Sequence, residues 1–389
     1  MVAILDTTLR EGEQTPGVAF GAHIKLAIAD LLDEIGVDVI EAGHPAVTPA
    51  IAEAVRELAR RGLRATIAAH ARSLERDVDL ALACGAGMIG IFYCVSDERL
   101  SDQRTSLSCA VERIQGVIAR IRAAAPDVSI RYTPEDGVRS RFDNVVTAAT
   151  AAVEAGADII SVADTTGYMI PGTRRSMYDF VCRLRAALEA RGLAPTIAVH
   201  CHNDRGLALA NALDGIRAGA GLVDAAVLGL GERAGIVDLA TLLAVLATDL
   251  GYSGRWRLHR LPELYRLVSE HGGVTVPINA PVCGANAFTH CAGVHSQAAI
   301  RNPLHYQSLS PEPFGRRAEV ALGHMAGLAA LRHCLDRVGL GHLDDEQARA
   351  VLARVKEIGQ HGRRVSDREL IHIVRLTCPA LAAAHRDVA

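Results

Sequence analysis

Short apolar runs alternate with amphipathic segments through the first 235 residues of the chain. The segments 22–34, 51–61 and 144–155 show apolar residues at helical spacing. The apolar runs have the length of buried strands and lie at 3–8, 38–43, 65–70, 87–93, 128–133, 158–163, 196–201 and 223–229. Such alternation predicts repeated βα units around a parallel sheet. Eight units fit a closed α/β barrel, the (β/α)8 TIM barrel.

An open, doubly wound sheet is the alternative fold for the same alternation. It would collect its functional residues at one switch point, whereas a TIM barrel distributes them over the carboxyl ends of most strands. Polar clusters follow most of the expected strands, at Arg10-Glu11, Glu41, His70, 131–136, Asp164-Thr165, 200–204 and 231–233. This distribution favours the barrel.

After Gly251 the pattern changes to helix and loop. We therefore expect a catalytic barrel at 1–250 and a mostly helical lid region at 251–389. Within the second region the pattern predicts helices at 344–360 and 365–374, the latter capped by Ser366 or Asp367. The last ten or so residues are expected to be frayed.

Composition excludes several classes of function. The 389 residues are 50% hydrophobic with a formal net charge of −3, so nothing suggests a nucleic-acid partner. No charge-free apolar run is long enough for a membrane helix. Asp6 and Arg10 interrupt the apolar stretch that a signal peptide would need. We expect a soluble cytoplasmic protein.

Two histidines at the end of the seventh expected strand indicate a metal site. His200 and His202 are two residues apart, so their side chains leave a strand on the same face. The segment 4–14 is another strand that leads into a loop with carboxylates, one of which can be the third ligand. Histidine and carboxylate ligands suit one divalent ion, Mg, Mn, Zn or Co. The alternative is a chance His-Xaa-His in a chain with 16 histidines.

A metal held by two histidines and one carboxylate keeps open positions for a 2-oxo acid, whose carbonyl it can polarise. Arg10 can then hydrogen-bond the same oxygen as it gains charge; the alternative is a salt bridge to Glu41 or Glu13. Three further donors follow the fifth and sixth expected strands, and they predict a dianionic substrate. They are Arg131, Thr133 and Thr165.

Proton transfer requires a further titratable group near the substrate. Glu135 follows the fifth expected strand, while His290 and His295 lie in the region after residue 251. A lone histidine in that region can equally have a surface or capping role, so all three remain candidates.

Four segments together resemble the metal-dependent TIM-barrel acyltransferases, that is, the homocitrate, isopropylmalate and citramalate synthases. The segments are 6–14, 200–204, 229–233 and 288–295, and the resemblance extends over essentially the whole chain. These enzymes condense acetyl-CoA with a 2-oxo acid in a Claisen-type reaction and then hydrolyse the thioester.

The resemblance implies a role for each candidate residue. The metal ligands are Glu11, His200 and His202, and the catalytic residues are Arg10, Glu135 and His295. The substrate contacts are Arg10, Gln14, His70, Arg131, Thr133 and Thr165. The lid histidine comes from the partner subunit in this family, so the resemblance also implies a homodimer.

Details within the resemblance point to the homocitrate branch. Ile236 follows Gly-Glu-Arg-Ala-Gly, where isopropylmalate and nitrogenase-linked homocitrate synthases usually carry a metal-binding asparagine and lysine-pathway homocitrate synthases carry isoleucine. Gly90, Ile300 and Thr133 depart from the lysine-pathway pattern, which has aspartate, tyrosine and serine there. We therefore expect 2-oxoglutarate as the substrate, with phosphonopyruvate or oxaloacetate as alternatives. A lyase of the hydroxymethylglutaryl-CoA type and a non-catalytic binding protein are the hypotheses from other classes.

Overall fold

Eight parallel strands close into a barrel in the order of the chain, and β1 pairs with both β2 and β8. The computed structural model describes residues 2–379, apart from the side chain of Pro303. The strands are β1 (Ala3–Asp6), β2 (Val39–Gly43), β3 (Thr66–Arg72), β4 (Met88–Cys94), β5 (Ser129–Glu135), β6 (Ile159–Asp164), β7 (Thr196–Cys201) and β8 (Leu222–Ala225). The closed sheet confirms the predicted TIM barrel and excludes the open one.

Helices follow the strands around the barrel. They are α1 (Ala22–Ile35), α2 (Pro49–Arg60), α3 (Glu75–Ala83), α4 (Asp97–Asp102), α5 (Leu107–Ala124), α6 (Phe142–Glu154), α7 (Met177–Glu189), α8 (Ala208–Arg217), α9 (Leu239–Asp249) and α10 (Leu261–Gly272). Several begin at a residue whose side chain accepts a hydrogen bond from an otherwise unpaired backbone N–H. Thr48, Ser106, Ser176 and Asp238 are such caps.

The interior of the barrel is filled near the amino ends of the strands. Seven strands each contribute one buried apolar side chain to this layer. They are Leu5, Val39, Ala68, Met88, Ile159, Ala198 and Leu222. Because the strands are parallel and this layer closes one end, the polar residues at their carboxyl ends collect at the other end.

The contacts divide the chain between Val276 and Pro277, later than the 250/251 boundary expected from the sequence. Residues 251–276 lack the βα pattern but pack on the first repeat of the barrel. The Tyr252 hydroxyl accepts a hydrogen bond from Val2 N at 2.9 Å, and Arg255 pairs with Asp38 at 2.8 Å. These contacts join distant parts of the chain, so local periodicity could not reveal them.

The second unit has its own apolar core. Its elements are β9 (Thr289–His290), α11 (Gly293–Arg301), β10 (Glu319–Val320), α12 (Leu328–Arg337), α13 (Asp345–Gly359) and α14 (Asp367–Thr377). Helices α13 and α14 confirm the two helices predicted here, and each begins with a capping box, on Asp344 and Ser366 respectively. The expectation for the last ten residues falls outside the described residues.

Among residues 2–379, no helix combines the length and the apolar character that crossing a membrane requires.

Candidate metal centre and active site

Glu11, His200 and His202 form a buried cluster at the carboxyl ends of the strands. His200 is the next-to-last residue of β7, His202 directly follows the strand, and Glu11 lies in the loop after β1. One potential ligand atom from each residue lies within 4.8 Å of the other two. Two imidazoles and one carboxylate are a donor set that suits a divalent transition metal or magnesium. The residues therefore fit the predicted metal site.

The orientation of His200 is set by a carboxylate on the neighbouring strand. Its Nδ1 lies 2.8 Å from Oδ2 of Asp224, a fully buried residue on β8. A neutral imidazole that donates from Nδ1 has its lone pair on Nε2. That Nε2 faces Nε2 of His202 at 3.2 Å. Two facing ring nitrogens at this distance suit a shared cation.

Burial, together with the nearby His200, lowers the pKa of His202 to about 4. The Nδ1 atom of His202 is buried without a hydrogen-bond partner among the described residues. A histidine that resists protonation keeps a lone pair available near neutral pH, which a metal ligand requires.

Arg131 holds Asp224 from the opposite side. Its two terminal nitrogens donate to the Asp224 carboxylate at 2.9 and 2.7 Å, and one of them also donates to Ser161 Oγ at 2.6 Å. Burial of Asp224 favours its neutral form, but Arg131 and His200 outweigh this and lower the pKa of the carboxyl. Only Nε of Arg131 lacks a partner among the described residues. Asp224 and Ser161 thus occupy most of the donors of the Arg131 guanidinium, and its predicted substrate contact stays a prediction.

Of the two carboxylates in the β1 loop, Glu11 is the one beside the histidines. Its Oε1 lies 3.9 Å from Nε2 of His202. Burial raises the pKa of Glu11, but the nearby Arg10 and the two histidines have the larger effect, so the pKa is lowered overall. Glu13 instead forms an ion pair with Lys25. The Gln14 carboxamide faces Glu11, and its nitrogen can donate to Oε2 at 2.8 Å.

Arg10 is fixed by two carboxylates. Its Nε donates to Glu41 at 2.6 Å, and its Nη1 donates to Glu11. The salt bridge to Glu41 proposed as the alternative role therefore exists, while Glu13 is not a partner. Nη2 of Arg10 makes no hydrogen bond to the described part of the chain, so one guanidinium N–H edge stays available to a ligand beside the cluster.

Glu41 connects Arg10 to His70. The Glu41 carboxylate accepts from Thr7 Oγ1 at 2.6 Å and lies 3.1 Å from Nδ1 of His70. Burial raises the pKa of Glu41, but Arg10 and His70 have the larger effect and hold this pKa well below the ordinary value. Burial and the charge of Arg10 lower the pKa of His70 to about 4. His70 also stacks on Phe92, at 4.9 Å between ring centroids.

Gly90 leaves space beside this network. A Cβ atom at Gly90 would lie 3.4 Å from Nδ1 of His70 and 3.6 Å from Oε1 of Glu41. A longer side chain at this position would therefore contact His70 and Glu41.

Glu135 and Thr165 lie at the same end of the barrel. Burial raises the pKa of Glu135, and Arg99, 3.6 Å away, partly opposes the rise. The Thr165 hydroxyl accepts from Asp136 N at 3.0 Å, and both Thr165 and Thr133 are half-buried. Glu135 and Thr165 both line a cavity of about 540 Å³.

His290 and His295 lie in the second unit. His290 is on β9, and its Nε2 lies 3.3 Å from Oε1 of Gln307. His295 is exposed on α11, and its ring stacks on Tyr306 at 4.2 Å between centroids. Their proposed roles in proton transfer stay predictions.

Three residues of the site were not predicted from the sequence: Asp224, Ser161 and Arg99. Asp224 had a detectable signal, because it is the single charged residue in the apolar run 222–228 and buried carboxylates are rare unless paired. Ser161 and Arg99 had none, since a serine in a strand and an arginine on a helix are ordinary.

The fold and the cluster define a TIM-barrel protein with a possible metal site at the carboxyl ends of its strands. Residues 1–268 match the family described as HMGL-like, and residues 282–363 match the domain described as homocitrate synthase post-HMGL domain-like. The chain belongs to this family of acyltransferases, in its homocitrate synthase branch.

Named relatives cover nearly the whole chain. A homocitrate synthase of Pyrococcus horikoshii is 43% identical over 91% of this chain and 94% of its own. A protein of Ignicoccus hospitalis, named as a probable 2-isopropylmalate synthase, is 38% identical over 96% and 91%. Among solved structures, a Bacillus subtilis HMG-CoA lyase covers 71% of this chain with a TM-score of 0.60 at 23% identity, which supports the barrel fold.

Proposed function

We propose that the protein is a homocitrate synthase that condenses acetyl-CoA with 2-oxoglutarate. The observation that carries this proposal is the cluster of Glu11, His200 and His202 with an available edge of Arg10 beside it. The identity to proteins named homocitrate synthase supports the choice of reaction.

The proposed mechanism assigns one task to each group. A bound divalent ion would supply Lewis-acid polarisation of the 2-oxo carbonyl. Glu135 takes a proton from the acetyl methyl group, and the resulting carbanion forms a carbon–carbon bond to the carbonyl carbon. Nη2 of Arg10 donates to the oxygen as it becomes negative. Water then cleaves the thioester and releases the CoA thiol.

Recognition of the distal carboxylate is assigned to His70, Arg131, Thr133 and Thr165. These groups are donors of the type that binds an anion. Gln14 is proposed to contact the substrate near Glu11. His295 is proposed to complete proton transfer from the partner subunit of a homodimer in the cytoplasm.

The test is release of free CoA, measured with a thiol reagent, from acetyl-CoA and one of five oxo acids in the presence of a divalent metal. We expect the largest kcat/KM with 2-oxoglutarate, above oxaloacetate, phosphonopyruvate, 2-oxoisovalerate and pyruvate. A clear preference for 2-oxoisovalerate would assign the isopropylmalate branch instead, and no release from any of them would refute the synthase proposal.

The metal assignment has a separate test. Chelation should abolish CoA release, and readdition of metal should restore it. His200→Ala should lack metal-dependent turnover while its circular dichroism stays that of a folded barrel, because the imidazole is replaced by a small side chain at a strand end. Full activity of His200→Ala would refute the ligand assignment.

A further inference from the structure

The second unit contains a cavity of its own, of about 260 Å³. We call it the second-unit cavity. Its lining residues come from β9 and its flanks, from the segment 321–325 after β10, and from the end of α13 and the turn that follows. All of them lie between positions 286 and 364, within the second unit. None of them has a role in the reaction proposed above.

Close packing of α13 builds one wall of this cavity. Gly359 is the last residue of α13, and a Cβ atom there would lie 2.2 Å from His324 N. On the other side of the segment 321–325, Val365 N donates to Leu322 O at 2.9 Å. The wall is therefore held in place by the fold of the second unit.

The second-unit cavity has arginines but no carboxylate among its lining residues. Arg363, Arg364 and His324 line it. Arg363 is balanced from outside the cavity by an ion pair with Glu369. Arg364 has no carboxylate partner in the described part of the chain, where its guanidinium donates only to Oδ1 of Asn286. An uncompensated guanidinium in a cavity favours an anionic ligand.

Neutral donors surround the same space. The carboxamide nitrogen of Asn286 and the backbone N–H groups of His324 and Met325 donate no hydrogen bond within residues 2–379. Thr289 adds a hydroxyl group. A guanidinium binds a carboxylate through paired hydrogen bonds, and the other donors suit further carboxylate oxygens. The cavity is smaller than the roughly 300–1,000 Å³ of sites for drug-sized ligands, so it favours a small polycarboxylate.

The walls of the cavity also hold the two candidate histidines of this unit. Thr289 lies on β9 directly before His290. On the facing segment, Met325 O accepts a hydrogen bond from Gly293 N at 3.1 Å. Gly293 begins α11, which carries His295. A ligand in the cavity therefore contacts the segments that position both histidines and restrains them.

We propose that the second-unit cavity is a regulatory site for a small polycarboxylate, which binds Arg364 through one carboxylate and slows turnover. The condensation proposed above adds one carboxylate to a dicarboxylic oxo acid, so its product is a tricarboxylate of the class that fits. The effect on turnover rests on the proposed function, whereas binding to the cavity does not.

Cys291 allows a direct test of binding, because it is an exposed thiol in the cavity wall. Alkylation by iodoacetamide, an uncharged reagent, is followed by mass spectrometry of the full-length protein with excess divalent metal. The probe is tricarballylate, a tricarboxylate without the hydroxyl group that helps citrate to chelate metal. Saturating tricarballylate should slow alkylation of Cys291 by about fivefold or more, since thiol reactivity follows exposure. Cys109, exposed on α5 outside the cavity, should react at an unchanged rate.

Arg364→Gln should need about tenfold more tricarballylate for the same protection of Cys291, as for the loss of one charge-assisted contact. Arg354→Gln is the matched control, because Arg354 is an exposed arginine of α13 that pairs with Glu357 and does not line the cavity. No protection of Cys291, equal protection of Cys109, or an unchanged affinity in Arg364→Gln would overturn the proposal. Sulfate is tested in parallel, and protection by sulfate equal to that by tricarballylate would overturn the preference for carboxylates.

The regulatory effect is measured as CoA release. Tricarballylate should lower kcat by about threefold or more without raising KM for 2-oxoglutarate, because it restrains the histidine segments and does not occupy the substrate site. Arg364→Gln should turn over normally and resist this inhibition. A rise in KM alone, equal in both proteins, would mean competition at the substrate site and would refute the regulatory role. Failure of CoA release in the unaltered protein would refute the proposed function, while protection of Cys291 would still decide whether the cavity binds the tricarboxylate.

Discussion

Asp224 links a metal-ligand candidate to the interior of the barrel. It accepts from Nδ1 of His200 on one side and from Arg131 on the other. A carboxylate behind a ligand histidine fixes the ring and raises its basicity, and loss of such a partner typically weakens metal binding about 10–100-fold. The arrangement therefore predicts that metal affinity depends on Asp224.

Asp224→Asn should weaken metal binding by about tenfold or more, because the amide carries no charge for His200 or Arg131. The measurement is a metal titration of the metal-free protein by competition with a chelator. Asp77→Asn is the matched control, since Asp77 is also a buried aspartate that contacts a histidine, His44, and an arginine, Arg72, away from the cluster. Equal affinities in all three proteins would contradict the prediction.

The pH dependence of activity should report Glu135. Burial raises the pKa of Glu135 above the ordinary value, and Arg99 limits the rise. The proposed base works deprotonated, so kcat/KM should fall as the pH drops through this raised pKa. Arg99→Gln removes the opposing charge and should move the acidic limb to higher pH.

The measurement is a pH profile of CoA release for the unaltered protein, Arg99→Gln and Glu135→Gln. Glu135→Gln should slow condensation and lose this limb, because glutamine does not titrate. A limb that is the same in all three proteins would remove Glu135 from the mechanism.

At the scale of elements, the loop after β8 supports the metal centre. The backbone of Glu232 in this loop donates to Oε1 of Glu11 at 3.2 Å. The loop closes on itself where Ile236 N donates to Gly229 O at 3.0 Å. Gly235 has a φ of +76°, and a Cβ atom there would lie 1.8 Å from Gly229 O. Only glycine fits this position.

Gly235→Ala should lower the free energy of unfolding by roughly 2 kcal/mol or more, through the left-handed backbone and the clash. Metal affinity should fall too, since the loop contacts Glu11. Gly254→Ala is the control, because Gly254 has a similar φ of +74° with no atom within 4 Å of its Cβ position. Chemical denaturation and metal titration measure both effects, and equal losses in the two variants would contradict the steric argument.

At the scale of the whole molecule, the barrel unit extends to Val276. Helix α10 contributes Leu261, Leu264, Tyr265 and Val268, all nearly inaccessible to solvent. Burial of one such side chain contributes about 1.5–3 kcal/mol to stability. Loss of all four would therefore remove as much stabilisation as the net free energy of unfolding of a typical domain, which is about 5–15 kcal/mol.

A polypeptide of residues 1–276 should therefore unfold cooperatively and bind metal through Glu11, His200 and His202, while a polypeptide of residues 1–250 should not fold. Thermal unfolding by circular dichroism distinguishes them. The longer polypeptide should not release CoA, because the proposed His295 is absent. A stable fold of residues 1–250 would support the boundary expected from the sequence.

The sequence alone determined the strands and helices of the barrel and the fold class to which they belong. Strand and helix periodicities are local, so the eight strands and the closed barrel were predictable from the first 235 residues. The position of His200 and His202 at a strand end was predictable for the same reason, since alternation fixes which side chains share a face.

Tertiary structure decided which side chains meet. Asp224 lies 24 residues from His200 and 93 from Arg131, and only the pairing of strands and closure of the barrel bring them together. The pairing of Glu13 with Lys25, which leaves Glu11 beside the histidines, also depends on how the β1 loop folds back on α1. Hydrogen bonds and ion pairs require atoms to lie within a few ångströms of each other in space. Local periodicity does not indicate which residues, distant along the chain, come that close.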